Sequence, residues 1–241
     1  MHGILVPKLV YEGKKSLHLE GECIFHLTRV LRVRENESVV VLNGEGKKIL
    51  TKVLSSTKKS LDLEIISIEA SERNFVIDLA LGIPKKDTLS EIIKKCVELG
   101  VRRLIPLQTL YSQPLVLAEA RLHSLIESAM IQSNNPFYLE IAEKLTLSQT
   151  ILALNEYTGV VYFTEKLQED RIKKNLQLWK EAKGEKTPKI LIVIGPEGGL
   201  SVEEENQLLA IPNLISVHLP AYLMKCPTAV CTACGYIFAQ L

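Results

Sequence analysis

The sequence lacks the long apolar stretches that mark membrane and secreted proteins. No run reaches the roughly 18 apolar residues that a membrane-spanning helix needs. The first residues, MHGILVPKLVYEG, hold no long apolar region followed by small residues, so we predict no signal peptide. The five cysteines are odd in number and widely scattered, which is typical of free thiols in a reducing compartment. We therefore expect a cytoplasmic protein that makes no contact with a membrane.

Strong net charge is also absent. The 241 residues carry a formal net charge of +1, which argues against a histone-like binder of polyanions but allows local basic patches. One such patch is present: residues 29–59 hold eight Lys or Arg against three acids. If the protein binds RNA, we expect phosphate contacts from this region, with Lys85 at a predicted strand end extending it. The candidates are Arg29, Arg32, Arg34, Lys47 and Lys85.

The two common phosphate-binding motifs are missing as well. Neither GxxxxGK[ST] nor GxGxxG occurs, which argues against a P-loop enzyme or a dinucleotide-binding fold. The chain instead has the glycine-rich stretch IGPEGGLSVEE, Ile194 to Glu204, where Glu197 would repel an anion. Its glycines either let the backbone approach a ligand closely or serve only the geometry of a strand-to-helix turn. The stretch alone leaves both interpretations open.

The first 70 residues are dominated by short β-type runs separated by turn signals. The segment VVVLNGEGKKIL predicts a hairpin, with two apolar runs around an Asn-Gly turn. A single helical pattern, CIFHLTRVLRVR, interrupts the strands. We predict a small β-barrel over residues 1–70, ending within the polar segment EASERN, residues 69–74.

From Phe75 onwards the chain alternates between strand and helix patterns. Thr88 with Glu91, and Ser201 with Glu204, have the spacing of helix capping boxes, and Gly100 is placed to end the first of these helices. Such alternation predicts an α/β domain over residues 75–241 with a mostly parallel sheet. Ligands of such sheets bind at the carboxyl ends of the strands. Three loops that follow predicted strands are therefore candidates for a binding site: those after VVYFTE, KILIVIG and ISVHLP.

The loop after ISVHLP, LPAYLMKCPTAV, is apolar and irregular and precedes a strongly apolar helix pattern. An apolar loop beside a glycine loop suits a flat, uncharged ring such as adenine. Within that last helix Cys231 and Cys234 form a C-x-x-C pair, but a zinc site would need more ligands. We therefore expect these cysteines to pack in the interior, and we predict no metal site.

These motifs, in this order, resemble the SPOUT class of RNA methyltransferases, and above all the RsmE family. That family methylates N3 of one uridine in 16S ribosomal RNA. IGPEGGLSVEE is similar to its cofactor loop, and FHLTRVLRVRENESVVVLNGEGKKI is similar to its N-terminal PUA-like barrel. LGIPKKDTLSEIIKKCVELGVRRLIPL and the helix ending ESAMIQS also have counterparts there. The resemblance covers the whole chain.

The resemblance implies S-adenosylmethionine as cofactor, a C-terminal α/β trefoil-knot domain and a homodimer that acts on 16S rRNA within the small ribosomal subunit. A positive charge near O2 or O4 of the uracil would favour loss of the N3 proton, and Lys225 is our candidate for this catalytic cation; the alternative is a surface lysine that pairs with phosphate. The implied cofactor-binding residues are Thr164, Gly195, Glu197, Gly199, Leu219, Leu223 and Met224.

The apolar loop departs from the family pattern. Tyr222 and Lys225 stand where the family has arginines, and Pro227 stands where it has a glutamate. One alternative is therefore a catalytically weakened or inactive RNA-binding paralogue with the same fold. A nucleotide-dependent α/β enzyme is a further alternative, against which the missing phosphate motifs count.

Overall fold

The computed structural model describes residues 2–114, 117–164, 187–211, 214–219 and 221–240. The chain divides into two compact units. The first comprises Met1–Glu72 with Ile126–Tyr138, and the second comprises Arg73–Leu125 with Leu139–Leu241. The domain limits predicted from the sequence, 1–70 and 75–241, put residues 126–138 in the second domain, whereas in the structure these residues belong to the first unit.

The first unit is built on a five-stranded sheet with the order β1-β3-β4-β5-β2. Its β1 pairs with β3 in parallel, and the other pairs are antiparallel. The predicted hairpin is confirmed, because β3 and β4 pair around a turn in which the Asn43 side chain accepts hydrogen bonds from the amides of Glu45 and Lys47. The strands are β1 (His2–Leu5), β2 (Ser16–Glu20), β3 (Ser38–Leu42), β4 (Lys47–Ser56) and β5 (Ser60–Ala70).

The helical segment predicted in the first unit is shorter and less regular than its apolar pattern indicated. A 3₁₀ turn at Glu22–Ile24 is followed by a π-helix at His26–Leu31. The π-helix ends at Arg32, whose backbone is left-handed with φ +52°. The apolar spacing marks the buried Ile24 and Leu27 but does not distinguish an α-helix from this wider turn.

The second unit is an α/β fold around a parallel sheet with the order β12-β10-β11-β6-β7-β8, and β9 also pairs with β7. All these pairs are parallel within the described residues. The strands are β6 (Val76–Gly82), β7 (Arg103–Gln108), β8 (Glu140–Ile141), β9 (Leu145–Thr146), β10 (Gly159–Phe163), β11 (Lys189–Ile194) and β12 (Leu214–Val217).

The helices of the second unit follow the predicted alternation of strand and helix. The sequence pattern did not predict β8, β9 or α3, and the predicted helix EDRIKKNLQLWKEAK lies outside the described residues. The helices are α1 (Lys86–Glu98), α2 (Glu119–Ser133, which passes from the second unit into the first), α3 (Leu147–Leu152), α4 (Val202–Leu209) and α5 (Cys226–Gln240). Among the described residues, no helix combines the length and apolarity needed to cross a bilayer.

The helix ends test the capping predictions directly. The Ser201–Glu204 capping box is present at the start of α4, and Gly100, with φ +71°, follows the last residues of α1. The Thr88–Glu91 prediction is wrong, because α1 begins earlier, at Lys86, with Lys85 as its N-cap and no side-chain cap. The amide of Lys85 is instead satisfied by the carboxylate of Glu197.

An ion pair inside the second unit holds the amino-terminal part of the sheet. The Asp78 side chain is wholly buried in β6 and accepts a bidentate pair of hydrogen bonds from Arg102, one from Nε at 2.8 Å. The hydroxyl of Tyr157 donates a further bond to Asp78 at 2.8 Å. Burial, and then the negative charge of Asp78, raise the pKa of Tyr157. The three side chains tie β6 to the segments that precede β7 and β10.

Arg102→Met should lower the free energy of unfolding by roughly 3 kcal/mol, because it leaves the buried Asp78 carboxylate without its cation. Lys95→Met is the matched control, since it removes an exposed pair with Glu98 at 3.0 Å and should cost less than about 1 kcal/mol. Urea unfolding of both variants measures the difference. Equal, small losses in the two variants would contradict a stabilising role for the buried pair.

Candidate functional site

A cavity of about 1020 Å³ opens at the carboxyl ends of β10, β11 and β12 in the second unit. These three strands are neighbours in the order β12-β10-β11, so their carboxyl ends lie at one edge of the sheet. The loops after β11 and β12 are two of the three that the sequence selected, and the loop after β10 lies outside the described residues beyond Thr164. The cavity lies in the size range of small-molecule sites in proteins.

The glycine loop after β11 is closely packed against the end of β6. A Cβ on Gly82 would lie 2.3 Å from Cδ of Pro196, so only glycine allows the two backbones to approach this closely. The loop then turns through a hydrogen bond of 2.8 Å from the Gly199 amide to the Pro196 carbonyl, with Gly199 at φ +73°. Gly195 and Gly199 face the cavity, whereas Gly198 is packed beneath the Tyr111 side chain. The glycines therefore serve both turn geometry and access to the cavity.

Glu197 has a structural partner that accounts for a carboxylate in a glycine loop. Its Oε1 accepts a hydrogen bond of 3.1 Å from the backbone amide of Lys85, the N-cap residue of α1. The amino end of a helix stabilises negative charge, so this contact ties the glycine loop to α1. The side chains of Lys85, Thr88 and Glu91 line the same cavity.

A second carboxylate, Glu205 of α4, also lines the cavity and was not predicted as a site residue. It accepts hydrogen bonds from the hydroxyls of Thr164 at 3.2 Å and Tyr162 at 3.4 Å. Thr164 is itself held by its amide, which donates to the carbonyl of Val217 at 2.9 Å. The sequence signal for Glu205 was weak, because an acidic residue in the first turn of a helix is common for electrostatic reasons alone.

The apolar loop that precedes α5 forms the exposed wall of the cavity. The side chains of Tyr222 and Leu223 are 97% and 90% exposed. At its end the loop is anchored by Cys226, whose thiol donates to the carbonyl of Gly195 at 3.4 Å. Burial, and then the charge of Glu197, raise the pKa of Cys226 to about 11, so the thiol stays protonated at neutral pH.

The structure brings most of the predicted site residues together. Of the five predicted RNA-binding residues, Lys85 also lines this cavity. The other four belong to the first unit: Arg29, Arg32, Arg34 and Lys47. The roles given to these side chains stay predictions. The cavity is lined by the predicted catalytic residue Lys225 and by Thr164, Gly195, Glu197, Gly199, Leu219, Leu223 and Met224.

The cysteines form no metal centre within the described part of the chain. No group of three or more His, Cys, Asp or Glu side chains is placed there to hold an ion. Cys234 is buried, and burial raises its pKa to about 12. Cys96, in the helix that packs against α5, is also buried, and burial raises its pKa well above the ordinary value. Both thiols behave as packed apolar groups, as predicted for Cys234, whereas Cys231, for which the same was predicted, is only partly buried.

Two known families match the two parts of the chain. Residues 71–238 match a family described as an RNA methyltransferase domain, and residues 19–66 match one described as an RNA methyltransferase PUA domain. The chain is similar to ribosomal RNA small subunit methyltransferase E of Rickettsia conorii, with 25% identity over 97% of this chain and 93% of the relative. The protein of that name from Bacillus subtilis is 24% identical over 85% of this chain and 83% of its own length.

Solved structures share the fold along nearly the whole chain. A ribosomal RNA small subunit methyltransferase E from Neisseria gonorrhoeae, bound to S-adenosylmethionine, has a TM-score of 0.79 at 21% identity and covers 99% of this chain and 97% of its own. A methyltransferase-like protein from Legionella pneumophila, also with S-adenosylmethionine, has a TM-score of 0.78 at 23% identity, with coverages of 98% and 96%. The predicted α/β fold with a PUA-like N-terminal part is thereby confirmed.

Gly82→Ala should displace Pro196 and lower the free energy of unfolding by roughly 1 to 3 kcal/mol, because the new methyl group overlaps backbone as well as side chain. Gly235→Ala in α5 is the control, since a Cβ there meets nothing within 4 Å and should be neutral or stabilise the helix by up to about 1 kcal/mol. Urea unfolding compares the two variants. A Gly82→Ala variant as stable as the parent would show that Pro196 has room to move.

Proposed function

This chain belongs to the RNA methyltransferase family, and from that membership we propose that it transfers a methyl group from S-adenosylmethionine to N3 of a uridine in 16S ribosomal RNA. The observation that supports this most directly is the meeting of the glycine loop, the apolar loop and Thr164 around one cavity at the carboxyl end of the sheet. The named relatives support the choice of small-subunit ribosomal RNA as substrate.

The residues of the cavity fit S-adenosylmethionine better than they fit a nucleotide phosphate. Its adenine is flat and uncharged, which suits the apolar segment around Leu219, Leu223 and Met224. Its ammonium and sulfonium groups are positive, and the carboxylates of Glu197 and Glu205 line the cavity that would receive them. The same carboxylates would repel a phosphate.

The chain's own residues have two tasks in the proposed reaction. When bound, S-adenosylmethionine supplies an electrophilic methyl group, so the protein must position the uracil and stabilise its N3 anion. Lys225 is exposed beside the cavity, where its positive charge would favour negative charge on uracil O2 or O4. Because N3 is blocked in a base pair, the target uridine must be unpaired or flipped out of the stack.

The proposal extends to the surroundings of the reaction. It includes the small ribosomal subunit as the context of the target, a homodimer, a trefoil knot in the C-terminal domain and a cytoplasmic location. The partly exposed Phe238 and the exposed Ala239 give the end of α5 an apolar outer face, which supports self-association.

Lys225→Ala should reduce kcat by about 100-fold while leaving the affinity for S-adenosylmethionine nearly unchanged, because the lost charge acts on the uracil anion. Lys225→Arg should retain much of the activity. Lys189→Ala is the control, since Lys189 is exposed at the opposite, amino end of β11. Single-turnover methylation and calorimetry separate the two quantities, and unaltered turnover would remove Lys225 from the active site.

Two measurements test the function itself. Calorimetry should detect binding of S-adenosylmethionine, and the absence of binding would refute the proposal. In a bacterial strain that lacks its small-subunit uridine-N3 methyltransferase, expression of this chain should restore N3-methyluridine, mapped by mass spectrometry of 16S rRNA. Binding of both cofactor and rRNA without restored methylation would identify the chain as the RNA-binding paralogue.

A further inference from the structure

An exposed apolar cluster interrupts the basic surface of the first unit. The side chains of Phe25, Val30 and Leu31 are 49%, 58% and 40% exposed, and they lie within seven consecutive residues. Exposed aromatic and aliphatic groups gathered in this way mark a surface that contacts something else. Arg32 and Arg34, also exposed, immediately follow them.

The aromatic side chain in this cluster already has a cation above it. The guanidinium carbon of Arg29 lies 4.6 Å from the centroid of the Phe25 ring, which is a cation–π contact. The contact orients two flat groups, one aromatic and one cationic, at the surface before any ligand arrives. Unpaired nucleic-acid bases stack on aromatic rings and on guanidinium planes. Because every base can stack in this way, aromatic and arginine side chains are common in proteins that recognise single strands of any sequence.

The backbone beneath the cluster has an uncommon conformation. His26–Leu31 form a π-helix, a geometry that is rare and often found at functional sites. The helix ends at Arg32 with φ +52°, a region that glycine occupies at lower cost. Arg32 therefore holds a backbone conformation that costs free energy relative to glycine.

We propose that Phe25 and Arg29 form a stacking site for an unpaired base of RNA, with Arg32 and Arg34 contacting the neighbouring phosphates. The choice of RNA as occupant rests on the proposed function and on the charge of this region, where residues 29–59 have an excess of five positive charges. The site is distinct from the cavity at the carboxyl end of the sheet in the second unit. It would hold RNA that flanks the target uridine.

Salt dependence separates stacking from phosphate contact. Stacking on Phe25 involves no counterion release, whereas each phosphate contact steepens the fall of affinity with salt. Phe25→Ala should weaken binding of an unstructured RNA oligonucleotide roughly 5- to 100-fold at every salt concentration, with an unchanged slope. Arg34→Gln, at one of the proposed phosphate contacts, should weaken binding and also reduce the slope by about 0.7, the value for one phosphate of a single strand.

Fluorescence anisotropy of the full-length protein, titrated with labelled single-stranded RNA and with a fully paired duplex, is the test. Phe25→Trp should preserve the affinity of the parent protein for the single strand. Leu54→Ala is the matched control, because Leu54 lies on β4 of the same unit and is 48% exposed, almost as Phe25 is. Thermal melting confirms that each variant is folded.

Three outcomes would overturn the stacking site. They are a Phe25→Ala variant that binds single strands as the Leu54→Ala variant does, equal losses for single strand and duplex, and a change of oligomeric state in place of a change in RNA binding. The last would identify the cluster as a surface for a second copy of the chain. Methylation at saturating RNA is measured in the same variants. A parent protein without methylation activity would refute the proposed function, whereas the stacking site is decided by the binding titrations alone.

Discussion

The cavity depends on the close approach of Pro196 to Gly82. Strands β6 and β11 are parallel neighbours, paired from Val76 with Lys189 to Leu81 with Ile194, so they reach the same edge of the sheet together. The chain leaving β11 must then pass directly over the end of β6, and the absence of a side chain at Gly82 leaves room for it. The turn to Gly199 and the start of α4 follow from that position.

Electrostatics then determine what the cavity can receive. The carboxylate of Glu197 is occupied by the amide at the start of α1, and that of Glu205 by two hydroxyls, so both are oriented before a ligand binds. A site lined by two fixed carboxylates discriminates against phosphates and in favour of positively charged groups. Two cations, Lys85 and Lys225, also line the cavity, and both are exposed.

The apolar loop is where this chain departs from the family it belongs to. The resemblance drawn from the sequence places Tyr222, which is almost fully exposed, and Lys225 where the RsmE pattern has arginines, and a lysine offers a point charge in place of an arginine's planar fork. The loop nevertheless lines the cavity, and Cys226 joins its end to Gly195. Differences in this loop therefore leave the wall of the cavity in place.

The sequence by itself determined the features that are encoded within a few consecutive residues. They include the hairpin at Asn43, the strand runs of β10, β11 and β12, the capping box at Ser201 and the glycine loop, because turn chemistry, apolar periodicity and capping are local. It therefore identified the loops of the site.

Only the tertiary structure decided the pairs that are distant in the chain. Thr88 was a plausible cap, but α1 starts at Lys86, and the amide of its N-cap residue Lys85 is satisfied by Glu197, 112 residues away. The same holds for Gly82 beneath Pro196, for Glu205 in the cavity and for the return of residues 126–138 to the first unit. Contacts of this kind depend on which strands become neighbours, and no local pattern records that order.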